Sequence, residues 1–201
     1  MIPFVIKFSF FKYSSLITLF LLCNISLGQK FHNFNNQNSI SDSLEFENEI
    51  RIYRVGNYQS NCTELVRVYE NKRDWQIDYY KCNKKLTLLI DSQRIFYEIL
   101  QNHPLHIPDQ KDIDWKLKKI IGLEKNIEGN YQILMDKKLP PNHCHSYYFF
   151  INRHGHYNQF KYYCPEILFK NYPEVDELIL VNNILNVIKL NLNIWDTENM
   201  K

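Results

Sequence analysis

Two pairs of cysteines constrain the fold of this chain more than any other feature. Cys62 and Cys82 are 20 positions apart, and so are Cys144 and Cys164. Each interval carries strand-forming residues on both sides of a short polar turn, which is typical of a β-hairpin. Four cysteines allow three connectivities. We favour the pairing of Cys62 with Cys82 and of Cys144 with Cys164, because facing residues at the open end of a hairpin can meet disulfide geometry.

The N-terminus has the pattern of an export signal. Lys7 and Lys12 are the only charges before an apolar run from Leu16 to Ile25, and small residues follow this run. We expect residues 1–28 to be removed as a signal peptide. A retained N-terminal anchor is the alternative, and a lipid anchor on Cys23 fits less well because a leucine precedes that cysteine.

Charge and cysteine usage narrow the class of protein. The chain has 24 basic and 22 acidic residues, and loss of the two signal lysines leaves equal numbers. This balance lacks the basic footprint of a nucleic-acid-binding protein. Beyond the signal, no segment has the length and apolarity of an integral membrane span. An even number of cysteines fits an oxidising compartment, so we expect a periplasmic or secreted protein.

The rest of the chain predicts one domain. Residues 29–44 are rich in Asn, Ser and Gln, which predicts a flexible leader. A single domain is expected over 45–196, followed by a tail over 197–201. Alternating strands, a capped middle helix and a long apolar helix starting at Pro173 predict an α+β fold. We expect an antiparallel sheet built around the two hairpins, packed against the long C-terminal helix and the shorter middle helix.

The register of the first hairpin has two solutions. A three-residue turn places Cys62 opposite Cys82. A four-residue turn over 71–74 instead places Arg67 opposite Asp78, which improves charge pairing. That second register puts the two cysteines on opposite faces of the sheet, because a slip of one residue inverts the side chains of a strand.

The second hairpin predicts a single register. Placing Cys144 opposite Cys164 leaves Arg153, His154 and Gly155 as a three-residue turn. Glycine then occupies the left-handed position of that turn. In this register Tyr148 and Phe160 would face each other, as would Ser146 and Tyr162.

Histidines crowd the second hairpin without forming a metal site. His143 and His145 flank Cys144, and His154 and His156 flank the turn. A hairpin separates these two pairs by roughly 30 Å, at ~3.4 Å per strand residue. Zinc holds nitrogen at ~2.0–2.1 Å, so the pairs cannot share an ion. We expect no metal and no cofactor, and the disulfide leaves Cys144 without the thiolate that a nucleophile needs.

Two stretches of sequence carry a family resemblance. They are Tyr172-Pro-Glu-Val-Asp-Glu-Leu with its following helix, and Glu49-Ile-Arg-Ile-Tyr together with residues 75–80. These stretches resemble a loose group of small exported bacterial proteins of uncharacterised function. The resemblance implies a bacterial cell envelope, and it implies no activity and no site residues.

A non-enzymatic binding or interaction protein is the leading functional hypothesis. The chain combines balanced charge, 15% aromatic residues and no assembled catalytic motif. We expect a contact surface formed by Tyr147, Phe149, Tyr157 and Tyr163, with core packing as the competing explanation. Its partner is expected to be another envelope or extracellular protein.

Two other functions remain open. A hydrolase of unidentified substrate class would use some of His143, His145, Asp112 and Asp114. It requires a concave pocket that brings a histidine and an acid within hydrogen-bond reach. A structural component of the envelope is the third reading of the same sequence.

Overall fold

The computed structural model describes residues 31–56, 62–82, 84–88, 90–128, 130–138 and 144–195. The chain forms two compact units, Met1–Ser43 and Leu44–Lys201. The predicted signal peptide, the tail and His143 lie outside the described residues. In the first unit residues 31–37 are helical (α1), and Asn35 donates a 3.0 Å hydrogen bond to Asp42. The flexibility of the leader over 29–44 stays a prediction.

The second unit alternates strands and helices along the chain. In order these are β1 (Asn48–Val55), β2 (Thr63–Asn71), β3 (Asp74–Lys81), β4 (Lys84–Thr87), α2 (Ser92–Leu100), a 3-10 helix (Gln110–Leu117), β5 (Lys119–Lys125), β6 (Tyr131–Asp136), β7 (Ser146–Arg153), β8 (His156–Tyr163), α3 (Pro165–Asn171) and α4 (Asp176–Leu192). Six strands form one antiparallel sheet in the order β4-β3-β2-β1-β7-β8, and β5 and β6 form a separate two-stranded sheet. The predicted α+β class, with hairpins, a middle helix and a long C-terminal helix, is confirmed.

The first strand occupies the centre of the six-stranded sheet. It pairs with β2 on one side and β7 on the other, so the two hairpins flank it. Both of its faces are buried, although alternation of apolar and charged residues predicts one exposed face. Glu49 is fully buried and accepts hydrogen bonds from Arg51 at 2.6 Å and Arg67 at 2.7 Å. Burial alone would raise the pKa of Glu49, but the two guanidinium charges outweigh it and hold that pKa below its ordinary value.

The main core lies between one face of the sheet and the helices. Asp91 caps α2 by accepting a 3.0 Å hydrogen bond from the backbone N–H of Arg94. The apolar side of α4 is fully buried and comprises Leu178, Val181, Ile184, Leu185 and Ile188. These side chains join Ile50 and Ile52 of β1 in one cluster. The described residues contain no helix with the length and apolarity that crossing a membrane requires.

The start of the long helix differs from the prediction. Pro173 does not begin α4, which starts at Asp176. Instead Pro165 opens the separate short helix α3, where proline suits the first turn. Tyr172, which precedes Pro173, leaves the helical region with φ −136°, as expected for a residue before proline.

Both hairpins turn through two residues with positive φ. In the first hairpin, Lys72 and Arg73 have φ of 50° and 76°, and Arg67 lies opposite Asp78. This confirms the predicted register in which residues 71–74 form the turn, because Asn71 pairs with Asp74 and only Lys72 and Arg73 lie between them. In the second hairpin, His154 and Gly155 have φ of 48° and 84°.

The predicted register of the second hairpin is wrong by one residue. Phe149, not Tyr148, lies opposite Phe160, and Ser146 lies opposite Tyr163. A two-residue turn with positive φ at both positions matches the natural twist of the strands better than the three-residue turn predicted from the cysteines.

Both predicted disulfides nevertheless form, through the same backbone arrangement in each hairpin. In each hairpin the second cysteine adopts a left-handed conformation just beyond its strand, with φ of 55° at Cys82 and 52° at Cys164. The backbone N–H of Cys82 bonds the carbonyl of Thr63 at 3.0 Å, and that of Cys164 bonds His145 at 2.9 Å. The bend brings each pair to a Cα separation of 4.8 Å and 5.4 Å, respectively. Strand register therefore does not exclude a disulfide between residues that lie outside the ladder.

Candidate protein-interaction surface

The two-stranded sheet of β5 and β6, here called the ribbon, is exposed at every residue of its strands except the half-buried Gly122. Its strands are rich in residues with high β-propensity, such as Ile120 and Tyr131. Asn126 and Asn130 close the turn between the strands. The backbone N–H of Asn126 donates a 2.8 Å hydrogen bond to the carbonyl of Asn130. In return, the backbone N–H of Asn130 donates a 2.8 Å hydrogen bond to the side-chain oxygen of Asn126.

The base of the ribbon is fixed to the domain. Leu117, just before β5, is fully buried in the core. Just after β6, the backbone N–H of Lys138 donates a 2.9 Å hydrogen bond to the hydroxyl of Tyr172. Lys137 forms an ion pair with Asp114 of the 3-10 helix. Both strands of the ribbon therefore leave the domain from anchored positions.

A β-bulge gives the ribbon one apolar face. Leu123 pairs with Ile133 and Ile120 pairs with Met135, with a register shift between Ile120 and Gly122. In a regular strand residues 120 and 123 would point to opposite faces. The extra residue of the bulge instead brings Ile120 to the face of Leu123.

This apolar ribbon face is strongly exposed to solvent. Its five large side chains and their exposed fractions are Ile120 (69%), Leu123 (67%), Tyr131 (73%), Ile133 (54%) and Met135 (56%). Lys125 shares the face at the tip, where its ammonium lies 5.9 Å from the ring centroid of Tyr131. On the opposite face Glu124 pairs with Gln132. Single exposed apolar residues are ordinary, but a contiguous exposed patch typically marks an interaction site.

The four residues predicted from the sequence to form a contact surface are divided between two faces of the large sheet. Tyr147 and Phe149 are each 1% exposed and belong to the core. Phe149 stacks on Phe160 at 4.5 Å between ring centroids. Tyr157 is 67% exposed, whereas Tyr163 is half-buried. Because a buried ring cannot contact a partner of the folded protein, Tyr147 and Phe149 act in packing, the competing explanation.

His145 lies in a polar cluster at one end of the large sheet, near the second disulfide. Its Nδ1 is 3.3 Å from the Arg54 guanidinium, which also lies 3.5 Å from Glu64. Burial, and then the positive charge of Arg54, hold the pKa of His145 below its ordinary value. The acids that act on its charge are Glu166 and Glu64.

The acids of this cluster are already engaged by donors. Glu64 accepts hydrogen bonds from Tyr79 at 2.5 Å and from the Trp195 indole at 2.6 Å. Glu166 accepts from Tyr147 at 2.8 Å and from Lys189 at 3.1 Å. Burial raises the pKa of Tyr79 and that of Tyr147, so both phenols stay protonated as donors. The cluster thus ties the sheet to α3, α4 and the C-terminal segment.

The acids predicted for a hydrolase lie elsewhere. Asp114 pairs with Lys137 at the base of the ribbon, and Asp112 belongs to the same 3-10 helix. A cleft of about 460 Å³ is lined by Trp75, Gln76, Ile77, Asp78, Thr87, Leu88, Ile90, Asp91 and Ser92. None of these lining residues is a histidine. Within the described ranges, no three His, Cys, Asp or Glu side chains are placed to hold a metal ion.

Sequence reasoning missed the ribbon as a site, although a signal was present. Residues 131–135 predict a strand, and the apolar residues at 113–121 leave strand and helix open. A partial signal for a strand with two different faces is Gln132, which separates Tyr131 from Ile133 in β6, although Leu134 interrupts strict alternation.

The ribbon is identified as a candidate surface from the geometry of this chain alone. The likeness to small exported bacterial proteins stays a prediction. The chain matches no protein-family model, no curated protein and no solved structure.

Proposed function

We propose that the protein is a non-enzymatic, exported binding protein that contacts a partner protein through the apolar ribbon face. The observation that carries this proposal is the exposure of the five large apolar side chains of that face, each by more than half. Patches of this kind on soluble proteins mark interaction sites. Burying one such side chain fully against a partner is worth about 1.5–3 kcal/mol.

The anchored base makes the ribbon suitable for recognition. An isolated two-stranded hairpin is marginally stable in water. Here Leu117 on one side and the bond from Lys138 to Tyr172 on the other hold its two ends. Such preorganisation lowers the entropy that binding costs.

Export places the partner in the periplasm or outside the cell. The two disulfides are compatible with an oxidising compartment, where such bonds persist. The charged N-terminal stretch with its apolar run supports the same route. The partner is thus an exported protein, in the cell envelope if the bacterial resemblance holds.

A photocrosslinking residue placed in turn on the two faces of β6 tests the proposal in the source cell. We expect a crosslinker in place of Ile133 to give a discrete protein adduct. The same group in place of Gln132, one residue away on the opposite face, should give none. Equal yields from both positions, or no adduct from position 133, would contradict the proposal. Intact disulfides in both variants, checked by non-reducing mass spectrometry, show that the fold is retained.

A further inference from the structure

We infer that the partner of the apolar ribbon face is a second copy of this chain, with two ribbons packed face to face about a two-fold axis. This inference rests on the proposed function, because it names the partner of the same surface. The two-fold axis runs across the strands at the middle of the ribbon.

The apolar ribbon face consists of three cross-strand rows. Lys125 and Tyr131 form the tip row, and Leu123 and Ile133 form the middle row. Ile120 and Met135 form the base row. An axis across the middle row packs Leu123 against Leu123 of the other copy and Ile133 against Ile133, and it packs each tip row against a base row.

The rows complement each other in this tip-to-base arrangement. The ring of Tyr131 meets the thioether of Met135, a favourable aromatic contact for sulfur. The aliphatic stem of Lys125 lies on Ile120 while its ammonium reaches solvent. A tip-to-tip arrangement would instead bring both Lys125 ammonium groups to one end of the interface, where like charges repel.

The size and charge of the surface fit a second copy. The five exposed side chains present on the order of 600 Å² per copy, so a pair buries about 1,200 Å², the lower end for a specific interface. The net charge of the whole chain is only +2, so two copies repel each other weakly. Isologous pairing buries the same face on both copies and closes the assembly. The expected product is a weak, reversible dimer.

Sedimentation equilibrium of the purified, disulfide-intact protein tests this inference. We expect the wild type to pass from monomer to dimer as its concentration rises through about 1 µM to 1 mM. Ile133→Asp places two facing carboxylates in the middle row, so it should weaken the dimer by at least about 100-fold. Gln132→Asp, the matched control on the opposite face, should leave the dissociation constant unchanged.

A charge exchange tests the predicted symmetry. Residue 133 of one copy faces residue 133 of the other copy, so the Ile133→Lys variant alone should also be monomeric. A mixture of Ile133→Asp with Ile133→Lys should form a heterodimer, because the two facing charges then attract each other. Unfolding curves that match the wild type show that these variants remain folded. A dimer that Ile133→Asp does not weaken would overturn the inference, because its interface would lie elsewhere.

The remaining outcomes separate the inference from the proposed function. A wild type that stays monomeric overturns the inference. If residue 133 is then crosslinked to a different exported protein, the proposed function stands without it. A monomer that floats with phosphatidylcholine vesicles and loses this binding on Ile133→Asp would identify lipid as the occupant and overturn both.

Discussion

The second hairpin and the ribbon are consecutive pairs of antiparallel strands, but the apolar face of the hairpin is buried and that of the ribbon is exposed. Phe149 in the hairpin is 1% exposed, whereas Ile133 in the ribbon is 54% exposed. The hairpin pairs with β1 inside a six-stranded sheet, and its Phe149 belongs to the core cluster beside the helices. The ribbon forms a sheet of its own two strands. Alternation along a strand thus determines which residues share a face, whereas tertiary pairing determines whether that face is covered.

The largest expected difference between the two regions is in stability. Phe149→Ala removes a ring stacked on Phe160 in the core, so it should lower the free energy of unfolding by about 3–5 kcal/mol. Ile133→Ala, an equivalent truncation on the exposed ribbon, should change it by less than about 0.5 kcal/mol. Urea denaturation followed by circular dichroism measures both. A loss above about 2 kcal/mol for Ile133→Ala, at a protein concentration where the wild type is monomeric, would mean that the ribbon face is covered within the monomer.

The two disulfides should contribute similarly, with a smaller difference between them. Both close loops with a sequence separation of 20, so chain entropy predicts about 3 kcal/mol for each. Cys164 is fully buried, whereas Cys82 is exposed. Replacing Cys144 and Cys164 with alanine should therefore cost about 1 kcal/mol more than replacing Cys62 and Cys82, because packed sulfur atoms are lost as well. Guanidinium denaturation of the two double variants gives the comparison, and equal losses would show that loop entropy alone decides it.

Much of the fold could be predicted from local signals. Cysteine spacing gives both hairpins and both disulfides, and the pairing of Arg67 with Asp78 identifies the first register. The second register fails because the cysteines lie outside the ladder, with Cys164 bent into a left-handed conformation that sequence spacing does not reveal. The burial of Glu49 also escapes prediction, since it depends on Arg51 of the same strand together with Arg67 of the neighbouring strand β2.

The candidate site could be predicted only in part. The aromatic residues of the second hairpin suggest either a core or a surface, and only the position of β7 beside β1 resolves this for Tyr147 and Phe149. The apolar ribbon face depends on a bulge that shifts Ile120 relative to Leu123. A bulge leaves little trace in a single sequence, because any residue type can occupy the extra position.

The two hairpin turns hold different residue types at their second position, Arg73 in the first hairpin and Gly155 in the second, with similar positive φ. Gly155 has φ of 84°, and a side chain built there would meet no atom within 4 Å. Gly155→Ala should therefore cost about 1 kcal/mol through backbone strain alone. Arg73 has φ of 76° without being glycine, so Arg73→Gly should stabilise the protein by about 0.5 kcal/mol after the added entropy of the unfolded chain. Thermal denaturation of both variants would refute this account if both shifts had the same sign.

The smallest expected difference is in the response to pH. Burial and the charge of Arg54 hold the pKa of His145 below the value of 6.5 that it has when unfolded, and Lys189 acts in the same direction against Glu166 and Glu64. As pH falls below 6.5 the unfolded chain gains this proton first. The stability that His145 contributes is therefore complete above that pH and is lost as pH falls towards its folded pKa.

His145→Gln should remove this loss, so its unfolding free energy should vary less between about pH 5 and pH 7.5 than that of the wild type. The strands of the ribbon contain no histidine. The dimer dissociation constant should therefore stay the same as pH falls from 7.5 to 6, while the free energy of unfolding of the wild type decreases. Urea denaturation and sedimentation at matched pH values separate the two responses. If wild type and His145→Gln lost stability in parallel, the pH dependence would belong to other groups, and burial and the charge of Arg54 would not be what lowers the pKa of His145.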